Sequence, residues 1–178
     1  MLSGDDEHFQ LMNITEQIGT VVAAMRNGGE TPYYLFGHRL EISNRLVKKD
    51  SDSVEKYKKY PLVAFNEQYN TLPERRGNVL DWTLNIAILA PTKKEYWSED
   101  RDTNVFVPVL DPLYEDFLVK IRQSGLFFWT GDQDAPPHSA VRRKFFGITS
   151  NEGNVKYIFN DPLDAVELIN LKLSTEIC

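Results

Sequence analysis

The stretch 79-VLDWTLNIAIL-89 decides how the rest of the chain is read. Leu80, Trp82, Leu84, Ile86 and Ile88 fall on one phase, and Asp81, Thr83, Asn85 and Ala87 on the other. Strict alternation over this length predicts a half-buried strand, with one face on a core and one face wetter. Gly77-Asn78 opens it and Pro91 closes it, both turn-type punctuation. It is expected to be the central strand of a sheet, with Trp82 in the core and facing helices.

Upstream, Leu11, Ile14, Ile18, Val21, Val22 and Met25 recur at spacings of three and four. That is the apolar stripe of a packing helix, capped by Asp5 or Asp6 and stopped at Gly28-Gly29. Pro32 to Phe36 reads as a short aromatic strand ending at Gly37. From His38 to Lys49 the Ile42/Leu46 and Glu41/Arg45 spacings predict a short helix, although Leu40 and Ile42 also alternate as in a strand. Asp50 to Ser53 is a polar loop. The Lys56, Lys58 and Lys59 cluster reads as a solvated face rather than a phosphate site, given the acidic background. Leu62 to Phe65 is a continuous apolar run, expected as a strand buried on both faces.

Residues 66–78 then read as an exposed loop that places Arg75 and Arg76 beside the sheet end. Residues 92–107 read as a second contact loop. Its Trp97 either plugs a neighbour's surface or folds back on its own core, and Glu99-Asp100-Arg101-Asp102 reads as a solvent-facing run of mixed charge. Asn104 to Leu110 is expected to be extended. Asp111-Pro112 should start a helix, with Asp111 as cap, Pro112 at the first position and Glu115 at capping-box spacing, ending at Gly125. After an aromatic loop from 126 to 141, Arg142–Thr149 and Val155–Asn160 flank a Ser150–Asn154 turn as a hairpin. Ala165 to Ser174 is the last strand. Its phase changes between Val166/Leu168 and Ile169/Leu171/Leu173, which predicts a bulge or a strand covered on both faces. The whole reads as a single α+β domain, residues 1–178, with a mostly antiparallel sheet and helices packed on one face.

Composition narrows the function classes. The chain has 178 residues, 42% of them apolar and 26% charged, with a net charge of −6, and a pI near 5.1. This is globular composition, and it argues against general affinity for nucleic acid, which needs a basic footprint. The one cysteine, Cys178, has no internal partner. No apolar run is long enough to span a membrane, and the acidic start is no secretory signal. His8, His38 and His138 are scattered, with no metal-ligand spacing. Neither a phosphate-binding glycine loop nor a nucleophile elbow is present. The expectation is no enzyme, no cofactor and no metal.

Several segments together resemble small structural proteins of tailed bacteriophages. These are Tyr34-x-Phe36-Gly37-His38 followed by a short helix, Lys59-Tyr60-Pro61-Leu62-Val63-Ala64-Phe65, Leu110-x-Pro112-Leu113-Tyr114-x-x-Phe117-Leu118, and Asp161-x-Leu163-Asp164-Ala165-Val166-Glu167. In order and character they are similar to tail-completion and tail-terminator proteins, including those of phages of Bacteroides-type hosts. The resemblance implies a tail-terminator-like α+β fold and a virion structural protein. Such a chain is a subunit of a homo-oligomeric ring at the head–tail junction or the top of the tail. It implies contacts with copies of itself and with neighbouring portal, connector or tail proteins. DNA would pass through the channel without specific binding, along an acidic surface. It transfers no catalytic residue. Ring subunits meet through heterologous interfaces that close by rotation, and loops bearing aromatic and arginine side chains suit them. Arg75, Arg76, Trp97 and Arg101 are the interface candidates. The alternative is an intracellular enzyme or adaptor of unknown substrate.

Overall fold

The alternating stretch forms β4 (Val79–Pro91), the middle strand of the sheet. The order is β1 (Tyr33–Gly37), β2 (Leu62–Asn66), β4, β8 (Leu163–Glu176), β5 (Ser139–Arg143), with β3 (Glu74–Arg76) also paired to β4. β8 runs along β4 from Val79 to Pro91, so β3 and β2 share its other side, one after the other. All pairings are antiparallel except β1 with β2. β6 (Ile148–Asn151) and β7 (Asn154–Tyr157) form a separate hairpin. The computed structural model describes residues 4–26, 28–51, 58–66, 73–131, 133–151 and 154–176, with side chains described from residue 14 onward and outside 149–151 and 154–155. The cap side chains Asp5 and Asp6, Leu11, Asp52, Ser53, Lys56, the loop residues 67–72, the hairpin tip 152–153 and Cys178 lie outside that description.

The α+β class and the mostly antiparallel sheet are as the sequence predicts. On the Leu80–Ile88 phase, α1 (Gly4–Ala24) buries Ile14, Ile18, Val21 and Val22 in one core cluster with the β4 side chains. Trp82 lies in this core, 2% exposed, and its indole N–H donates to Thr175 Oγ1 at 3.0 Å. β8 carries the expected bulge: its register with β4 shifts between Leu84 and Ile86, and Asn170 takes φ 55° there. The backbone N–H of Asn170 is satisfied by Asn85 Oδ1 at 2.9 Å.

Four details differ from the sequence reading. First, helices cover both faces. α2 (Arg39–Asp50) buries Ile42 and Leu46 with Leu62, Ala64, Ala87 and Leu89 in a second cluster on the opposite phase. The reason is in β4 itself, where every residue from Ile86 to Ala90 is buried, so that half of the strand needs cover on two sides. Of the two readings for 38–49, the helix is the one formed; His38 Nδ1 caps it by accepting the Leu40 N–H at 3.2 Å.

Second, Asn104–Leu110 is not extended, and Asp111 is not a cap. α3 (Ser98–Arg101), a π-helical stretch (Asp102–Leu110) and α4 (Asp111–Ser124) run on without a break. Pro108 and Pro112 normally end a helix, because proline lacks an N–H and its ring meets the carbonyl four residues back. The wider π turn shifts the ladder, and the Asp111 N–H bonds to Phe106 O, five residues back. Val105, Phe106, Leu110, Leu113, Phe117 and Ile121 are buried along it. α4 does end at Gly125, in the left-handed conformation.

Third, the described end of the 66–78 loop is the strand β3, turned into β4 at Gly77-Asn78. Fourth, the Arg142–Thr149 strand is two, split by a turn at 144–147.

Candidate functional site

Trp97 stands out of the protein, 81% exposed, so it does not fold back on its own core. Val107, 60% exposed, lies on the helical run that follows. The loop that carries Trp97 is held from beneath. Its N–H donates to Asp100 Oδ2 at 3.0 Å, and its carbonyl accepts the Arg101 N–H at 3.1 Å.

Arg101 is a correction to the list of interface candidates. It is 1% exposed and pairs with fully buried Asp164 at 2.6 Å. Its remaining donors fan out under the loop: Nε to Tyr96 O at 3.1 Å, Nη2 to Lys93 O at 3.0 Å, and Nη1 also to Thr92 Oγ1 at 3.1 Å. An arginine fork suits this task, since a planar five-donor group can satisfy several carbonyls at once. Arg101 therefore cannot touch a neighbour. It fixes the loop that presents Trp97.

The same pair reaches a second element. Asp164 Oδ1 also accepts the Phe145 N–H at 2.9 Å, and the Phe145 ring lies 3.6 Å from the Arg101 guanidinium. Phe145 has φ 53°, an uncommon conformation for an aromatic residue, and these contacts hold it there.

Arg75 and Arg76 sit elsewhere. Both are exposed on β3, whose partners are Val79–Asp81 at the opposite end of β4 from Pro91. Ten residue steps of strand lead from Asp81 to Pro91, about 33 Å at ~3.3 Å per step. The fold does not bring Trp97 and these arginines into one patch. Arg76 is also engaged, in a two-pronged ion pair with Asp81. Hydrogen bonds from Arg76 and then from Ser174 hold the Asp81 carboxyl at about 2. Arg75 donates from Nε to Gly77 O at 3.1 Å.

Of the basic cluster, Lys59 is neither solvated nor a phosphate contact. It is buried between Asp50 at 2.5 Å and Asp161 at 2.7 Å. His138 is structural as well, hydrogen-bonded to Tyr114 Oη at 2.8 Å and to Pro136 O at 2.7 Å. Among the described residues no group of acidic, histidine or cysteine side chains is placed to hold a metal ion.

A cleft of about 540 Å³ opens on the α2 face of the sheet, between that helix and the 144–147 turn. Arg39, Arg143, Lys144 and Glu167 line it, with Asn66 and Asn85. Sequence reasoning missed it, because it arises from cross-strand register rather than from any local motif. Compared with known proteins, the chain matches no family model, and no curated protein matches it in sequence.

Proposed function

We propose that the chain is a virion structural protein of a tailed bacteriophage, one subunit of a homo-oligomeric ring at the head–tail junction or the top of the tail. It forms part of the DNA channel, is assembled in the host cytoplasm and catalyses no reaction. Trp97 is the observation that carries this reading. A large aromatic ring, exposed on a loop fixed by the Arg101–Asp164 pair, is pre-ordered for docking and loses little freedom when a neighbour covers it. Its partners are copies of the chain, with portal, connector or tail proteins on either side. The net charge of −6 favours a lumen that repels phosphate, past which DNA slides without being held. Among the described residues no helix is long and apolar enough to cross a membrane.

Native mass spectrometry and negative-stain images of the purified chain test the ring. Closed rings are expected; a chain that stays monomeric at every concentration, and that has no like neighbours around an axis in the particle, overturns the proposal. Trp97→Ala tests the anchor. It should leave folding stability within about 0.5 kcal/mol and weaken association by about 2 kcal/mol, roughly thirtyfold. Assembly at the wild-type concentration would place the interface elsewhere. A second reading, an intracellular enzyme or adaptor, is favoured by one observation only, the cleft beside α2.

A further inference from the structure

The cleft follows from one cross-strand row. Leu35, Ala64, Ala87, Glu167 and Val141 are successive partners across β1, β2, β4, β8 and β5. Two adjacent alanines lower the floor of the sheet where the neighbouring strands carry larger side chains. α2 makes one wall, with Arg39 and Ile42, and the 144–147 turn makes the other, with Phe146 stacked on Phe159 at 5.8 Å. The volume, about 540 Å³, falls within the range of about 300–1,000 Å³ usual for small-molecule sites.

The charges converge at the rim. Glu167 meets Arg143 Nε at 2.7 Å and Arg39 Nη2 at 3.8 Å. Lys144 follows directly in the turn, exposed, and makes no ion pair among the described residues. Three cations thus line the cleft with a single acid, in a chain whose net charge is −6. The wall that bears Arg143 and Lys144 is also rigid. Phe145 is pinned to the Arg101–Asp164 pair, and the Phe146 N–H donates to Leu163 O at 2.7 Å. Gly147 has φ 79°, and a Cβ there would lie 2.4 Å from the Phe159 ring, so the turn admits only glycine at that point. A strained turn held by a buried ion pair beside a charged cleft is the kind of arrangement in which strain accompanies binding.

We propose that this cleft binds a small organic anion. Its carboxylate or phosphate head lies between Arg143 and Lys144, with Arg39 across the opening. Its flat apolar body lies over Ala64 and Ala87, beside the Arg39 guanidinium, which itself stands 5.4 Å over the Phe146 ring. Charge-assisted hydrogen bonds give the head its selectivity, and the apolar floor supplies the area. The site goes beyond the ring reading; its lining residues are not those of the Trp97 loop, although the Arg101–Asp164 pair braces both.

The test uses the whole chain and the probe 1-anilinonaphthalene-8-sulfonate, an anion on an aromatic body. Its fluorescence should saturate as one site, and amide shifts on binding should map to Ala64, Ala87 and Phe146–Ile148. The double variant Arg143→Gln/Lys144→Gln, both positions exposed, should keep the far-ultraviolet dichroism. It should bind the probe at least about tenfold more weakly, the loss expected of one charge-assisted hydrogen bond. The uncharged N-phenyl-1-naphthylamine should bind wild type and variant alike. Competition with 1-naphthyl phosphate and 1-naphthoate then tells which head the site takes. Unchanged probe affinity in the double variant, shifts centred on exposed Leu40 and Val47 instead of the cleft, or displacement by neither competitor would each overturn the proposal.

Discussion

Two rows of residues, one step apart along the same five strands, behave as opposites. Tyr34, Val63, Ile88, Val166 and Arg142 face α1 and the helical run 98–124; Leu35, Ala64, Ala87, Glu167 and Val141 face α2 and the 144–147 turn. In the first row β-branched side chains fill the space up to the helices, and even Arg142 lies over the Phe106 ring. In the second row two methyl groups and a carboxylate leave room. The larger core cluster lies on the first face, and the cleft opens on the second, where the small residues meet.

The comparison can be broken most sharply on the filled face. Trp82→Ala should cost about 3–5 kcal/mol, because a buried indole leaves a cavity that a central strand cannot close. Urea unfolding that gives an unchanged midpoint would deny that this face carries the fold. Arg101→Ala should cost a similar amount, about 3–5 kcal/mol, since it strands a fully buried carboxylate. It should also loosen both the Trp97 loop and the 144–147 turn, which proton exchange at Tyr96, Trp97 and Phe145 would show together. Loosening of one without the other would mean that the pair does not join the two faces.

On the hollow face the effect should be smaller. Ala87 is 5% exposed and lines the cleft, so Ala87→Val, which adds bulk but suits a strand, should cost no more than about 1–3 kcal/mol. It should also weaken probe binding in the cleft. A loss as large as that of Trp82→Ala would mean that the floor is packed rather than open. The smallest effect concerns the β3–β4 hairpin. Asp81 titrates at about 2 in the folded chain against an ordinary value of 3.8. Its stabilising contribution is therefore complete above the ordinary value and is lost as the pH falls through the lower one. Following the carboxyl carbon by NMR should place the midpoint low in the wild type and nearer the ordinary range in Arg76→Ala. Equal midpoints would remove Arg76 as the cause.

The filled face was legible because it is written locally. The alternation in 79–89, the three-and-four spacing of Ile14, Ile18, Val21 and Val22, and the phase change in 165–174 each report their own environment. The β3 turn was legible too, since Gly77-Asn78 between extended runs is a two-residue hairpin signal that the loop reading passed over. Three features were not. Pro112 reads as the start of a separate helix, and only the Asp111 N–H bond to Phe106 O shows that a π turn carries the run through Pro108 into it. Arg101 stands in a run of mixed charge that reads as solvated, while the acid that buries it lies 63 residues away. The cleft depends on Ala64, Ala87 and Glu167 meeting in register, and each is unremarked in its own segment. Of the interface candidates, Trp97 reads equally as exposed or as folded back on its own core, and only the structure settles its exposure, while the distance between it and Arg75 and Arg76 follows from the length of β4.

The bulge in β8 has a consequence for how the chain finds its alignment. Long antiparallel ladders are self-similar: sliding one strand by two residues keeps every side chain on its proper face, so burial alone penalises the error weakly. Asn170 interrupts that symmetry. Its exposed N–H has left the ladder, and Asn85 accepts it with a side-chain oxygen in place of water. A two-residue slip toward Ala87 loses that bond, since Ala87 has no side-chain acceptor to offer. The Asn85–Asn170 contact thus works as a notch, letting a pair of long strands close in one position among several that are otherwise nearly equivalent.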